Sequence, residues 1–501
     1  MSNATREILR SRVVKTSCHH NIASFYVARS PVRSKRLNHV PRVWMAAKHF
    51  DHSKNISTSS SISSLSSQEL QTGTERSTST PLSILPTSYL LRSLFVSSVT
   101  SKPYLLSPSL SILSFLSQPH RIALLSTDRN PVLHWIVKRL LYDQFCTGEN
   151  AAEVQKVMKE MHKFGFLGVI LTYAKETTFD HKSKKTEVPG SVLQQVDDAG
   201  KLQCAEIETW RAGTLQTVYM CSDGDKIALK LTGAGPTVTE AFAAGQLPSK
   251  QMLDALDEIC EAARENKAQI IIDAESQHFQ KGIAKTAVML MKKYNTQKAP
   301  LVIQTYQCYL KRTRDGLAKD LAKAAQEGWS IGVKLVRGAY MSTDERSRIH
   351  DTKEDTDKAY DGIVRDLLRR DGDGFKGLGK PGNTPWPEMS VFLATHNKNT
   401  VMAAHKLNQQ MVAEEGAKAV PLEFAQLHGM ADSVSFSLLN AKNAQGEAPK
   451  VSKCSTWGSL GECLAYLLRR AVENREAASR TQDELDALRA EVKRRMFSFG
   501  R

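Results

Sequence analysis

From about residue 130 the chain alternates two textures. Short apolar runs at 227–231, 270–273, 301–306, 331–336, 391–395, 422–427, 433–437 and 451–455 are separated by stretches whose apolar residues recur at helical spacing. Those stretches lie at 250–266, 280–294, 313–328, 355–370, 398–415 and 459–476, preceded by helices predicted over 131–142 and 151–164. Pro131 suits the first turn of the 131–142 helix. Strands alternating with helices predict a parallel sheet with helical crossovers. Eight strands over about 250 residues fit an α/β architecture of the (β/α)8 barrel type, with a doubly wound open sheet as the alternative. The polar stretch 176–203 and the Gly/Pro-rich stretch 371–389 read as insertions at the surface.

Before residue 130 the texture is different. Residues 1–50 hold ten Lys and Arg against a single acid, Glu7, so +9 of the formal +16 sits in a tenth of the 501 residues. An acid-poor, Arg-rich, Ser-containing start has the character of an organelle transit peptide. The segment 57–67 carries eight serines in eleven residues and cannot bury enough apolar surface to order itself. The expected organisation is therefore a transit peptide over 1–50, then a serine-rich and largely disordered linker with a possible helical arm over 51–125. A helical segment and loop over 126–220, the barrel over 221–480 and a C-terminal helix or tail over 481–501 follow. The apolar segments 82–96 and 104–116 are suited to docking on the folded domain or on a membrane surface. With the presequence removed only about +7 remains, and no RRM or zinc-finger spacing appears, which disfavours a nucleic-acid partner. Eight scattered cysteines without a CxxC pair give neither a disulfide scaffold nor a zinc ribbon. The spacing of His and acids matches no metal motif. Thr232-Gly-Ala-Gly-Pro236 lacks the third glycine of a dinucleotide fingerprint.

Chemistry in a barrel gathers at the C-terminal ends of its strands. Here those ends carry Lys230, Asp273, Gln304, Lys334 and Thr395-His396. Each has an ordinary structural reading, as a solvated lysine, a helix cap or a hydrogen-bonded histidine. Five converging polar groups would be costly without a shared purpose. The last helix opens with the capping box Ser459-Leu-Gly-Glu462, and then places Tyr466, Arg469, Arg470 and Glu473 on one face. Paired guanidiniums beneath an aromatic ring suit a carboxylate ligand; the alternative is a surface Arg–Glu ladder.

The segments 271–280, 303–310, 333–340 (VKLVRGAY), 393–397, 424–432 and 464–474 (LAYLLRRAVEN) resemble the proline dehydrogenase family, in that family's order and spanning roughly 225–476. The resemblance implies a distorted (β/α)8 TIM barrel holding FAD noncovalently. It implies oxidation of L-proline to Δ1-pyrroline-5-carboxylate by hydride transfer to FAD, with electrons passed to ubiquinone at the matrix side of the inner mitochondrial membrane. Arg469 and Arg470, helped by Lys230, would pair with the substrate carboxylate; Tyr466 would pack on the pyrrolidine ring, and Glu473 would orient the arginines or Lys230. Asp273 would be the active-site aspartate. Lys334 would lie near the flavin and stabilise charge on it. Gln304 would hydrogen-bond the flavin ring, Ala274, Val336, Gly338 and Ala339 would line the cofactor, and Thr395 and His396 would hold its ribityl and phosphate portion. Cys454 stands where many members carry tyrosine, which leaves room for hydroxyproline. A Schiff-base aldolase using Lys230 or Lys334, and a basic nucleic-acid-binding organelle protein, are the competing readings.

Overall fold

The computed structural model describes residues 80–117, 126–127, 129–174, 179–180, 185–186, 194–196, 202–375, 377–379, 382, 384–474 and 478–498. The predicted transit peptide and most of the predicted linker lie outside them. Eight parallel strands close on themselves. In chain order they are β1 (Gly168–Tyr173), β2 (Lys226–Leu229), β3 (Gln269–Ile272), β4 (Val302–Gln307), β5 (Ile331–Val336), β6 (Met389–Ala394), β7 (Leu422–Leu427) and β8 (Lys450–Trp457). The seam is the β8–β1 pairing, which runs from Ser452 opposite Gly168 to Trp457 opposite Tyr173. The fold is a TIM barrel, as the alternation of runs predicts.

Period-two alternation sorts each strand's residues into two layers. Ile170, Ala228, Ile271, Ile303, Phe392 and Ala425 meet inside the barrel. Their neighbours along the strands, such as Ile270, Val302, Val333 and Leu393, pack outward in the larger core shared with the helices. At the N-terminal mouth the buried Lys226 donates from Nζ toward Glu423 at 2.7 Å, with the Phe392 ring centre 5.6 Å away.

Two of the expected elements differ. The run 433–437 is not a strand: it lies in the helix Asp432–Leu439. Its Ser-Val-Ser-Phe-Ser alternation imitates a strand because a short helix buried on several sides needs no polar stripe. The true eighth strand is β1, inside the stretch read as leading into the barrel, so the barrel begins at Gly168 rather than near 221. Its sequence, Gly-Val-Ile-Leu-Thr-Tyr, is a continuous apolar run directly after the amphipathic helix Ala151–Lys163, and periodicity does not separate the two.

Helices outside the barrel frame its C-terminal mouth. The helix Leu460–Asn474 follows β8 and is held at its start by the capping box: Ser459 Oγ donates to Glu462 Oε2 at 2.8 Å, and Glu462 N donates back to Ser459 Oγ at 3.4 Å. A second carboxylate, Glu149, accepts from Leu460 N at 2.8 Å and is itself gripped by Lys138 and His134. The predicted arm is helical: Thr87–Thr100 packs on the C-terminal helix Ala478–Ser498, and Pro103–Leu116 packs on Leu460–Asn474. The 371–389 insertion is anchored more deeply than its Gly/Pro content suggests, because Phe375 and Leu378 are fully buried. Arg314 holds it by donating to the Gly374 carbonyl at 2.8 Å. Within 176–203 the described residues form the pairings Phe179–Asp180 with Lys185–Thr186 and Gln194–Val196 with Leu202–Cys204.

Candidate functional site

The inward residues at the C-terminal ends of β3, β4 and β5 form one row. Lys334 pairs in register with Thr305. Lys334 Nζ reaches past it to donate to Asp273 Oδ1 at 2.6 Å. Lys334 is buried and Asp273 only partly so, which places the pair where a desolvated cation keeps its partner. Between them Thr305 Oγ1 is buried without a hydrogen-bond partner, a rare condition for an interior hydroxyl. Cys454, inward on β8, completes the ring: burial pushes its thiol up, while Lys334, Thr172 and Lys230 pull it down and Asp273 adds to the rise.

Lys230 ends β2. Its carbonyl accepts from Trp210 Nε1 at 3.2 Å, fixing the backbone, and its ammonium lies 5.4 Å from the centre of the Tyr466 ring. The lysine and the mouth helix therefore meet, as a cation over an aromatic face. Arg469, Arg470 and Glu473 occupy the next turns of that helix on the face of Tyr466. Their side chains lie outside the described residues.

The remaining predicted residues divide. Val336 shares the inward face of β5 with Lys334. At Gly338, φ is +145° and a Cβ would fall 2.4 Å from the Tyr309 ring, so only glycine allows that approach. Thr395 Oγ1 is already engaged: it accepts from Arg337 Nη1 at 2.6 Å and from Asn397 N at 3.2 Å. His396 Nε2 accepts from Leu427 N at 3.1 Å, tying the β6 loop to β7. Ala274 follows Asp273 in the loop before the helix Gln277–Tyr294. Gln304 is not in the inward row. Alternation puts it with Val302 and Tyr306 on the outer face, where Tyr306 bonds Asp320 of the helix Thr313–Glu327.

Several further residues organise this mouth. Glu275 accepts from Thr232 N at 3.1 Å and from the Thr232 hydroxyl, and Gln307 Nε2 donates to the Glu275 carbonyl at 3.0 Å, linking the ends of β2, β3 and β4. Asp344 accepts from Ser276 Oγ, Gln277 N and Tyr309 Oη, and so pins the loop after β5 to the helix after β3. Arg337 spans Asp357, Thr395 and Thr400 with its face on Tyr360. For Thr305 over Gln304 the sequence carried no signal, because the phase of β4 is set only by Ile303 standing inside the barrel. Asp344 gave none, and Arg337 stood inside the 333–340 segment without a legible role, since their partners come from distant loops.

The donor set fits a flavin. A buried cation (Lys334) and an unpartnered inward hydroxyl (Thr305) offer the charge and the hydrogen bond that a planar heteroaromatic ring uses.

The family model for proline dehydrogenase matches residues 154–483. The probable mitochondrial proline dehydrogenase of Schizosaccharomyces pombe is 28% identical over 446 residues, covering 81% of this chain and 88% of its own. The mitochondrial proline dehydrogenase 1 of Caenorhabditis elegans is 37% identical over 251 residues, covering 48% of this chain and 37% of its own. The fold also resembles the crystal structure of proline utilization A (PutA) from Bdellovibrio bacteriovorus inactivated by N-propargylglycine. That likeness has a TM-score of 0.54 and 16% identity, and covers 80% of this chain and 40% of the longer one. With the family model matched over the whole barrel and the mouth helix, this chain belongs to the proline dehydrogenase family.

Proposed function

We propose that this chain oxidises L-proline to Δ1-pyrroline-5-carboxylate in the mitochondrion, using FAD and passing the electrons to ubiquinone at the matrix face of the inner membrane. The observation that carries the reading is the inward row Asp273–Thr305–Lys334 beneath the helix that bears Tyr466, in a chain of this family. FAD, when bound, would supply the acceptor for the hydride that leaves C5 of the substrate. Lys334, Thr305, Val336, Gly338, Ala339, Thr395 and His396 would hold it. The ring hydrogen bond that the resemblance gives to Gln304 passes to Thr305, because Gln304 faces the helices.

The chain's own task is to bind and orient. Arg469 and Arg470, one turn beyond Tyr466, would grip the carboxylate with Lys230; rigid forked donors fix a planar anion in angle as well as in place. Tyr466 would close over the ring and exclude water. Holding the substrate in one pose can contribute roughly 7–11 kcal/mol at best to lowering the barrier. Asp273 pairs with Lys334 and aims its ammonium, so that negative charge developing beside it is stabilised without reorganisation. The ion pair also speaks against a Schiff-base aldolase, whose nucleophilic lysine stands in an apolar pocket without a carboxylate. The small inward Cys454 favours hydroxyproline as a second substrate.

The test is a spectrum and an assay. Purified protein should show flavin absorbance and reduce a soluble dye with proline. Arg469→Met or Arg470→Met should raise the proline KM roughly a hundredfold while flavin stays bound, the loss expected for a charge-assisted bidentate contact. Near-wild-type KM in both variants, or colourless protein, would defeat the reading.

A further inference from the structure

The mouth helix Leu460–Asn474 starts under more restraint than a helix needs. Its own capping box serves two amides: Ser459 N donates to Glu462 Oε2 at 3.2 Å, and Glu462 N donates to Ser459 Oγ. The amide of Leu460 is claimed from outside, by Glu149 Oε1 at 2.8 Å, across 311 residues of chain. The segment that carries Glu149 is tied to the turn before the helix. Cys146–Gly148 pairs with the end of β8. Gly458 N donates to the Gly148 carbonyl at 3.1 Å, and Tyr142 Oη donates to the Gly458 carbonyl at 2.8 Å. Tyr142 and Cys146 share one apolar cluster with Leu460, Cys463 and Leu464.

The Glu149 carboxylate is itself aimed. Its Oε2 accepts from His134 Nε2 at 3.0 Å and lies 3.3 Å from Lys138 Nζ. The other ring nitrogen of His134 stands 3.0 Å from the Thr127 carbonyl, which fixes the ring. Lys138 also reaches Glu153 Oε2 at 2.6 Å, and that oxygen accepts from the Glu149 amide at 3.2 Å. Lys138–Tyr142 winds as a π turn, a widening that helices keep mostly at functional sites. All four charged groups are partly exposed, so their pairing adds little to stability. A cap for stability alone needs one carboxylate, and Glu462 already supplies it. What the second carboxylate adds is direction.

Direction has leverage at this point. Tyr466, Arg469 and Arg470 stand six, nine and ten residues beyond Leu460. On a helix that is about 9, 14 and 15 Å along the axis. A tilt of about 4° at Leu460 moves a group about 15 Å away by about 1 Å. A misplacement of about 1 Å can cost on the order of a hundredfold in rate. We propose that Glu149, gripped by His134 and Lys138, is the positioning residue of the mouth helix and sets the angle at which Tyr466, Arg469 and Arg470 meet the substrate. The inference rests on the proposed function for the substrate, and on the fold alone for the hold of Glu149 on the helix.

The experiment measures proline KM and kcat by dye reduction, flavin content, and deuterium uptake across residues 458–467, all in the full chain. Glu149→Ala should raise the proline KM about tenfold, keep kcat within about twofold and retain flavin. Deuterium uptake over 458–467 should quicken. Added to Arg469→Met, the same change should raise KM less than about twofold further, because the grip that it aims is already broken. His134→Gln is milder, since it leaves the Leu460 contact in place, and should raise KM about threefold. An unchanged KM in both Glu149→Ala and His134→Gln would overturn the proposal, as would a tenfold rise that persists in full beside Arg469→Met. So would loss of flavin with kcat falling as far as KM rises, the mark of a merely structural cap. A wild-type KM in Arg469→Met and Arg470→Met beside a raised one in Glu149→Ala would sink the carboxylate reading of the arginines and leave the hold of Glu149 on the helix standing.

Discussion

Thr305 and Gln304 are neighbours on β4 with opposite surroundings, and both carry a buried oxygen without a partner. The inward one lies between Lys334 and Asp273; the outward one is wedged beneath a helix. The two orphans make opposite predictions. Thr305→Val keeps the volume and removes the hydroxyl, so flavin affinity should fall about fivefold, the worth of one hydrogen bond of roughly 1 kcal/mol. Gln304→Met removes an unsatisfied amide from an apolar layer, so flavin content should not change and stability should be equal or higher by about 1 kcal/mol. Flavin titration and urea unfolding of the two variants check this, and the reverse pattern would return the cofactor contact to Gln304. The example also measures what a motif can tell. Segment resemblance finds the strand and its polar residues; which of two adjacent residues faces the site depends on the phase of the strand, and that is fixed only when Ile303 is seen inside the barrel.

At the scale of elements, the helix Asp432–Leu439 shows why one strand was misassigned from sequence and another overlooked. Its start has no capping side chain of its own, and the preceding Ala431 takes a left-handed conformation, with φ +50°. Glu484, from the C-terminal helix, accepts from the amides of Asp432 and Ser433, while Lys453 of β8 donates to Asp432 Oδ1 at 2.7 Å. The signals that make this segment helical are thus about fifty residues downstream and on a neighbouring strand. By contrast, Leu460–Asn474 carries its capping box within its own sequence and was legible for that reason. Glu484→Ala should cost about 1–2 kcal/mol as a lost cap and speed hydrogen exchange at the Asp432 and Ser433 amides. Burial, with Asp432 adding to it, holds the Glu484 carboxyl above its ordinary value. A carboxyl raised on folding contributes stability that is full below its unfolded pKa and is lost as pH rises through the folded one. Glu484→Gln, which keeps an acceptor and loses the charge, should therefore gain on wild type as pH rises from 4 to 7. A Gln variant that loses ground over that range would refute the assignment.

In the molecule as a whole, the two ends of the described chain clasp each other. Arg495 of the C-terminal helix donates to the carbonyls of Leu82, Ser83 and Leu85 and to Thr87 Oγ1, filling the end of the turn Pro81–Ile84 and the start of the arm. Glu491, fully buried, accepts from Arg494, Arg495 and the Thr80 hydroxyl. Leu82 and Leu90 are buried in the main core alongside Leu488 of that same helix, so this contact is continuous with the barrel's own packing. The arm leads to the helix Pro103–Leu116 that backs the mouth helix, which makes the clasp the anchor of everything above the site. Arg495→Ala leaves three carbonyls with one donor fewer and should cost about 2 kcal/mol, lowering Tm by roughly 2–5 °C. The barrel row from Asp273 to Lys334 touches none of these groups, so bound flavin should be retained while protease cuts the arm earlier than in wild type. The Arg494 hydrogen bond, with Thr80 and Arg495 behind it, holds the Glu491 carboxyl down to about 2. A carboxyl lowered on folding contributes stability that is present above pH 4.5 and lost as pH falls toward 2. Arm proteolysis in wild type should accordingly accelerate below pH 4, and Glu491→Gln should show fast cleavage already at pH 7. Arm cleavage that ignores both pH and these substitutions would mean that apolar packing of Leu82 and Leu90, rather than the charged clasp, holds the ends together.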